Sequence, residues 1–222
     1  MTLDKSPETI QTMFNMISGK YDLVNQIMSL GTQKYIKQSC IKLLDIKPNT
    51  KVLDLCCGTG DLGGYAKKYR PDADIIGVDF SDKMIEIAKN RNNGVKYFKC
   101  NVTQLPFDDA TFDIAVMGFG LRNVQNREKA IEEVYRILKP GGIFLHIDFG
   151  EKNLPSKIFD IFVPVIVKFI SDDIYAYNYL IKSKREFPCP NDLIKIFEAN
   201  GFKFERRKDY ILKAISCQIM SK

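Results

Sequence analysis

Residues 51–61 read Lys-Val-Leu-Asp-Leu-Cys-Cys-Gly-Thr-Gly-Asp. A short apolar strand carries Asp54, a tight Gly58-Thr59-Gly60 turn follows, and Asp61 leads into a stretch bearing Ala and Lys. Glycine lets a backbone turn sharply and approach a ligand closely. The plan repeats at Ile75-Ile76-Gly77-Val78-Asp79, a second apolar strand ending in an acid. An acid at the carboxyl end of a strand is placed to hydrogen-bond ribose hydroxyls in the crevice of an open α/β sheet. The pair points to a nucleoside cofactor. It does not point to a phosphate site: the G-x-G-x-x-G spacing is incomplete and no Gly-Lys-Ser/Thr follows. Asp54 and Asp61 would also repel a pyrophosphate. A cationic or uncharged cofactor is expected.

The elements that must hold these residues follow from periodicity. From Pro7 to about Leu44 the pattern is helical, with Phe14, Ile17, Tyr21, Val24 and Met28 on one stripe and interruptions at Gly19 and Ser29-Leu30-Gly31. After Pro48 the chain alternates. Strands are expected near 51–56, 74–79, 95–99, 113–118 and 142–148, and helices near 61–69, 82–92 and 127–138. Strands separated by single helices imply parallel pairing with right-handed crossovers. Residues 151–189 break the rhythm with Pro155, Pro164, Ser171, Asp172-Asp173 and many aromatics, which suggests an inserted helical cover or a helical pair on the sheet edge. A last helix over 190–199, capped by Gly201, precedes two strands at 202–206 and 213–220, expected as an antiparallel hairpin. The expected architecture is one α/β domain over 1–222 with a seven-stranded doubly wound sheet. It divides into a helical arm (1–47), a cofactor-binding core (48–150), a helical cover (151–189) and a C-terminal helix with hairpin (190–222).

With 222 residues, 45% hydrophobic and 27% charged, the chain supports one substantial core. The net charge of +6 is scattered, which fits solvated faces better than nucleic-acid binding and is compatible with weak attraction to an anionic membrane. Six cysteines without C-x-x-C spacing and a single histidine, His146, argue against a zinc cluster and for reduced thiols in the cytoplasm. Met1 to Glu8 does not read as a signal peptide. The apolar stretch 158–170 is too short and polar to span a bilayer.

Taken together, these residues resemble the class I S-adenosylmethionine-dependent methyltransferases. More narrowly, they resemble the quinone-biosynthesis C-methyltransferases acting on demethylmenaquinol and on the polyprenyl methoxybenzoquinol precursor of ubiquinone. Tyr21-Asp22-Leu23-Val24-Asn25 with Ser29-Leu30-Gly31, then Phe119-Gly120-Leu121-Arg122-Asn123-Val124, then Tyr177-Asn178-Tyr179-Leu180 with Phe187-Pro188 carry this likeness from about Phe14 onward. Leu138-Lys139-Pro140-Gly141-Gly142 is shared with many methyltransferases. The chain departs from the family pattern at Gly118, where some members have serine, and in its last hairpin at Leu212-Lys213 and Cys217.

The resemblance implies S-adenosylmethionine as cofactor. Asp54 with Gly58, Thr59 and Gly60 would line its methionine end, and Asp79 would take the ribose hydroxyls. Asn101 and Val102 would meet the adenine, with Phe80 and Met84 packed on it. Gly118 would lie beside the cofactor, and Tyr21 would close over it. Methyl transfer to a quinol ring carbon needs a nearby base or a cation for the phenolate. Arg122 is the candidate cation, Asn123 the group orienting a hydroxyl, and Asp148 a candidate base. His146 reads as a buried core residue. Tyr177 and Tyr179 would form the substrate wall. Phe159, Phe162, Val163, Ile166, Phe169 and Tyr175, with Lys157 and Lys168, would form a trough for a polyprenyl tail. Such a groove would touch a membrane or a partner enzyme, which leaves a homodimer or a quinone-synthesis complex open. The Gly118 departure suggests room for a naphthoquinol ring. Two other readings remain at this point: a non-catalytic lipid-binding or scaffold domain of the same fold, and a methyltransferase for another small molecule.

Overall fold

The computed structural model describes residues 3–170 and 174–222, and for 164–170 and 174 the backbone alone. The arm is α1 (Pro7–Ile17), a 3-10 turn at Ser18–Lys20, α2 (Tyr21–Met28) and α3 (Thr32–Ile41). The core follows as β1 (Lys51–Leu55), α4 (Asp61–Tyr69), β2 (Asp74–Asp79), α5 (Asp82–Asn90), β3 (Lys96–Lys99), β4 (Phe112–Gly118), a 3-10 turn at Leu121–Asn123, α6 (Arg127–Ile137) and β5 (Leu138–Phe149). The cover is α7 (Leu154–Ile170) and α8 (Ile174–Glu186). The chain ends with α9 (Pro190–Ala199), β6 (Lys203–Tyr210) and β7 (Ile215–Ser221).

The seven strands lie in the order β3-β2-β1-β4-β5-β7-β6. The first five are parallel, and β7 runs antiparallel between β5 and β6. This is the doubly wound sheet expected from the alternation of strands and helices. The central strands are buried on both faces: Val52 and Leu53 are fully buried on β1, and they belong to cores on opposite sides of the sheet. One core gathers Leu53, Phe112, Phe144 and Phe197 under α6 and α9; the other gathers Val52, Ile75, Ile114 and Ile41 under α3 and α4. The charged strand β6 forms the sheet's edge, where charge discourages pairing with a second chain.

Local chemistry sets the helix starts. Ser81 caps α5, its Oγ accepting from Met84 N at 3.2 Å, and Asn126 caps α6 by accepting from Lys129 N at 3.0 Å. Gly31, at φ +75°, breaks α2 from α3. The first hairpin strand runs longer than expected, to Tyr210, because pairing with buried β7 extends β6 through a charged stretch that lacks apolar alternation, and the second starts two residues later than expected, at Ile215. The described residues of the aromatic-rich insertion over 151–189 form the two helices α7 and α8. The Ser171 and Asp172-Asp173 break lies outside the described residues, as do the side chains of Ile166, Lys168 and Phe169. Among the described residues, no helix is long and apolar enough to cross a membrane.

Gly77 lets β2 pass against the Tyr97 ring: a Cβ there would sit 2.5 Å from Tyr97 Cδ1 and 3.2 Å from Cys57 Sγ. Gly77→Ala is expected to lower the unfolding free energy by about 1–3 kcal/mol through overpacking, read as a shifted urea midpoint at unchanged slope.

Candidate active site

The carboxyl ends of β1, β2 and β4 open into a cleft of about 970 Å³, part of it open to solvent. Lys5, Ile10, Phe14 and Tyr21 of the arm line one side; Gly58, Asp79, Phe80, Met84, Asn101, Val102, Gly118 and Asn123 line the rest. These come from turns and strand ends that share one edge of the sheet.

Asp79 is half-buried at the end of β2. Its Oδ2 accepts from Gly58 N at 2.8 Å and its Oδ1 from Ser81 N at 2.9 Å. Each oxygen keeps a lone pair for a ligand hydroxyl. Burial raises its pKa, opposed by the hydrogen bonds from Ser81 and Gly58. Phe80, Met84 and Val102 give the cleft an apolar shelf beside it. Among the described lining residues, only Asp79 and Lys5 are charged. A nucleoside without phosphates fits this set; a nucleotide's phosphates would find one cation, Lys5, offset by the Asp79 carboxylate.

Some expected cofactor residues lie behind the cleft wall. Asp54 points to the opposite side of β1 from Leu53 and Leu55, under α4, because strand side chains alternate. Its Oδ2 accepts from Gly63 N at 2.7 Å, and burial, aided by Asp61 and Asp79, raises its pKa to about 7. Of the Gly58-Thr59-Gly60 turn, only Gly58 lines the cleft. The Thr59 hydroxyl bonds Asp22 Oδ1 at 2.8 Å. Arg91 joins Asp22 and Asp61 at 2.6 Å each, and Lys37 reaches Asp61 at 2.9 Å. This clasp ties α2 and α3 to the turn after β1. Gly60, at φ +84°, packs against Tyr97. Asn101 lines the cleft, but its Oδ1 accepts from Thr103 N and Oγ1 in its own turn.

Gly118 leaves no vacant space. A Cβ added there would meet Leu62 Cδ1 at 2.7 Å, so Leu62 already fills the volume and the argument for extra room at a naphthoquinol ring fails.

A second group of polar side chains meets at the ends of β4 and β5. Arg122 is buried, bonded to the Phe119 carbonyl and 3.4 Å from Asp148 Oδ1, with its guanidinium 5.3 Å from the Phe149 ring centre. Asp148 is buried too and also accepts from Phe149 N at 2.8 Å. This position suits a carboxylate that holds Arg122 better than one exposed as a base. His146 is fully buried with Nδ1 2.9 Å from Gln218 Oε1, and burial lowers its pKa, so it is neutral. Among the described residues, the buried side-chain polar atoms without a hydrogen-bond partner are Asp54 Oδ1, Arg122 Nε, Asn123 Oδ1, His146 Nε2, Asp148 Oδ2 and Tyr179 OH. All but the first belong to this group, in which the Tyr179 hydroxyl feels the charges of Arg122 and Arg127.

The expected substrate residues do not share one trough. Tyr177 packs with Val24 and Val163, and Tyr179 with Met13 and Ala176, in the seam between arm and cover. Phe159 meets Phe149 at 5.6 Å, while Phe162 faces outward at 58% exposure. Lys5, Ile10 and Phe14 were not singled out as site residues. The helical stripe flagged Phe14 as apolar, but nothing local marks Lys5.

An acid with free lone pairs at the end of β2, a glycine turn after β1 and an apolar shelf beside them, all on this sheet, fit a class I S-adenosylmethionine-dependent methyltransferase. The model of the ubiE/COQ5 methyltransferase family matches residues 1–221, and the chain belongs to that family. It is 35% identical over 213 residues to the ubiquinone/menaquinone biosynthesis C-methyltransferase UbiE of Hydrogenovibrio crunogenus, covering 90% of this chain and 84% of that one. It is 33% identical over 211 residues to the demethylmenaquinone methyltransferase of Listeria welshimeri, covering 90% and 89%. In fold it is similar to a SAM-dependent methyltransferase of Thermotoga maritima described as a possible histamine N-methyltransferase. That match has a TM-score of 0.70 at 22% identity and covers 95% of this chain and 99% of that one.

The folded-state pKa of Asp54, about 7, lies above its ordinary value of 3.8. The native state therefore holds this proton more tightly. The stability it supplies is complete below about pH 4 and is lost as pH rises through about 7. Asp54→Asn keeps an acceptor for Gly63 N and is expected to flatten that pH dependence in urea titrations across the window.

Proposed function

We propose that this protein transfers the methyl group of S-adenosylmethionine to a ring carbon of a polyprenylated quinol in menaquinone or ubiquinone biosynthesis. The names of the bacterial relatives support the substrate class. The observation that carries the reading is the cluster of unpartnered polar atoms on Arg122, Asn123, Asp148 and Tyr179, of which Asn123 lines the cleft. Buried polar atoms without partners are costly. A ring bearing two oxygens supplies both donors and acceptors for such a set, and a hydrocarbon or aliphatic amine does not.

When bound, the cofactor supplies a methyl group on a cationic sulfur. Asp79 holds the two ribose hydroxyls with its free lone pairs. Phe80, Met84 and Val102 flank the adenine, and the Asn101 turn reads its edge. Gly58 brings the backbone near the amino-acid end, and Tyr21 covers it. Arg122, fixed by the Phe119 carbonyl and Asp148, keeps its charge and stabilises the quinol oxygen as it loses its proton. Asn123 orients that oxygen from the cleft wall.

The tail and the membrane belong to the cover. Leu154, Ile158, Ile161 and Phe162 recur at positions four, seven and eight along α7, which is one helix face, and all four are exposed. Lys152, Lys157 and Arg185 stand beside this face. An apolar stripe rimmed by cations suits an anionic bilayer surface from which a quinol's tail is drawn.

Methyl transfer from labelled cofactor to reduced demethylmenaquinol and to the polyprenyl methoxybenzoquinol tests the activity; transfer to neither sinks it. Asp79→Ala is expected to weaken cofactor binding by about 2–4 kcal/mol in calorimetric titration. Ile161→Asp with Phe162→Asp is expected to abolish sedimentation with anionic vesicles while turnover of a short-tailed quinol in detergent persists.

A further inference from the structure

A quinol ring carbon becomes a good nucleophile only when a neighbouring hydroxyl gives up its proton. The groups around Arg122 leave that proton without a taker. Arg122 stays charged. Asp148 takes Arg122 and the Phe149 N–H on one oxygen, and both Asp148 and His146 are buried outside the lining of the cleft. One amine does face the cleft. Lys5, two residues before α1, lines it and donates from Nζ to the backbone carbonyl of Arg122 at 2.8 Å. Among the ion pairs of the described residues, none includes Lys5.

Its position separates it from the nucleoside. Asp79 ends β2, Lys5 is anchored to the turn beyond β4, and β1 lies between those two strands. An ammonium has no favourable role beside a cationic sulfur. It has one beside an oxygen that loses a proton. Asn123, the next residue after the carbonyl that Lys5 grips, lines the same wall.

We propose that Lys5 Nζ is the general base that takes the quinol hydroxyl proton in this cleft; the assignment rests on the quinol reading above. The neutral amine removes the O–H proton and becomes ammonium. The ring's electron pair forms the new C–CH3 bond as the C–S bond breaks, and its electrons stay on sulfur as a neutral thioether. The ring carbon then releases its hydrogen to water as a proton, restoring the aromatic ring as a quinolate, and the Lys5 ammonium returns its proton to the quinol oxygen, which regenerates the hydroxyl and the neutral amine. One proton is released in net.

The surroundings favour the neutral amine. Burial is the largest influence, and Arg127 of α6 and Arg122 of the 3-10 turn add to it, while Glu186 of α8 and Asp148 of β5 oppose it; the balance lowers the pKa to about 8. Activity governed by this amine rises with pH through about 8.

Lys5→Arg separates a base from a tether, because guanidinium can still grip the Arg122 carbonyl but cannot accept a proton near pH 8. The expected result with quinol acceptor is a fall in kcat of about 100-fold for Lys5→Arg and Lys5→Ala, at cofactor Kd close to that of wild type. The rise in rate with pH is lost, and added methylamine restores Lys5→Ala in proportion to its free-amine form. Three results overturn the proposal. Lys5→Arg retaining kcat makes Lys5 a tether. Collapse of cofactor binding in both variants makes it a closing strap. Absence of wild-type turnover with either quinol removes the quinol reading itself, and the base with it, whereas the first two leave that reading intact.

Discussion

The reversal of strand order at β1 is the constraint on which the rest of this protein depends. From β1 the chain winds outward through β2 to β3, then returns to place β4 on the other flank. Crossovers on the two sides leave the sheet in opposite directions, so the carboxyl ends of β1, β2 and β4 cannot be covered by their own connections. The cleft is what that topology leaves open. Gly58, Asp79, Gly118 and Asn123 are far apart in the chain and meet because three adjacent strands end on one edge. The price is borne by β1, which must be apolar on both faces and so tolerates Asp54 only as a buried, proton-holding acid.

Charge is sorted around the opening. Asp22, Asp61, Arg91 and Lys37 neutralise one another in the clasp, and Arg122 is held by Asp148, which leaves a cleft with one carboxylate and one amine. A nearly neutral, largely apolar cleft suits a step in which a sulfonium loses its charge to an electron-rich ring. Water would stabilise the separated charges more than the charge-dispersed transition state. The clasp pairs are partly exposed, so each contributes little alone, roughly 0–1 kcal/mol. Their effect is to fix the turn after β1 against α2 and α3.

The arm is pinned by polar bonds more than by a deep core. Gln11 reaches Asp82 at 2.8 Å, Asn15 accepts from Ser81 at 2.6 Å, and Lys5 grips the Arg122 carbonyl. Two small apolar clusters, around Val24 with Val163 and Met13 with Ala176, join the arm to the cover. Attachments of this kind open at a lower free energy than the sheet unfolds, which gives cofactor and quinol a way in without disturbing the core.

The sequence alone determined what its local signals reach: strand and helix periods, the acids at Asp54 and Asp79, the glycine turn, and the Phe119–Val124 run with its Arg122. Those signals were enough for the parallel sheet, the nucleoside end of the cleft and the family resemblance. Tertiary structure decided which side chains face the opening. Asp54 and Asp79 look alike in sequence, yet strand alternation and an overlying helix bury one while the end of β2 presents the other. Thr59 was drawn into an ion-pair clasp with residues from three other segments, and Leu62 filled the space beside Gly118. Tyr177 and Tyr179 turned into the seam between arm and cover. Lys5, unremarkable among polar neighbours, became one of two charged groups in the cleft because α1 folds across strand ends more than a hundred residues distant. Spacing along a chain reports the face of one element; which element then covers that face depends on contacts between segments that no local pattern encodes.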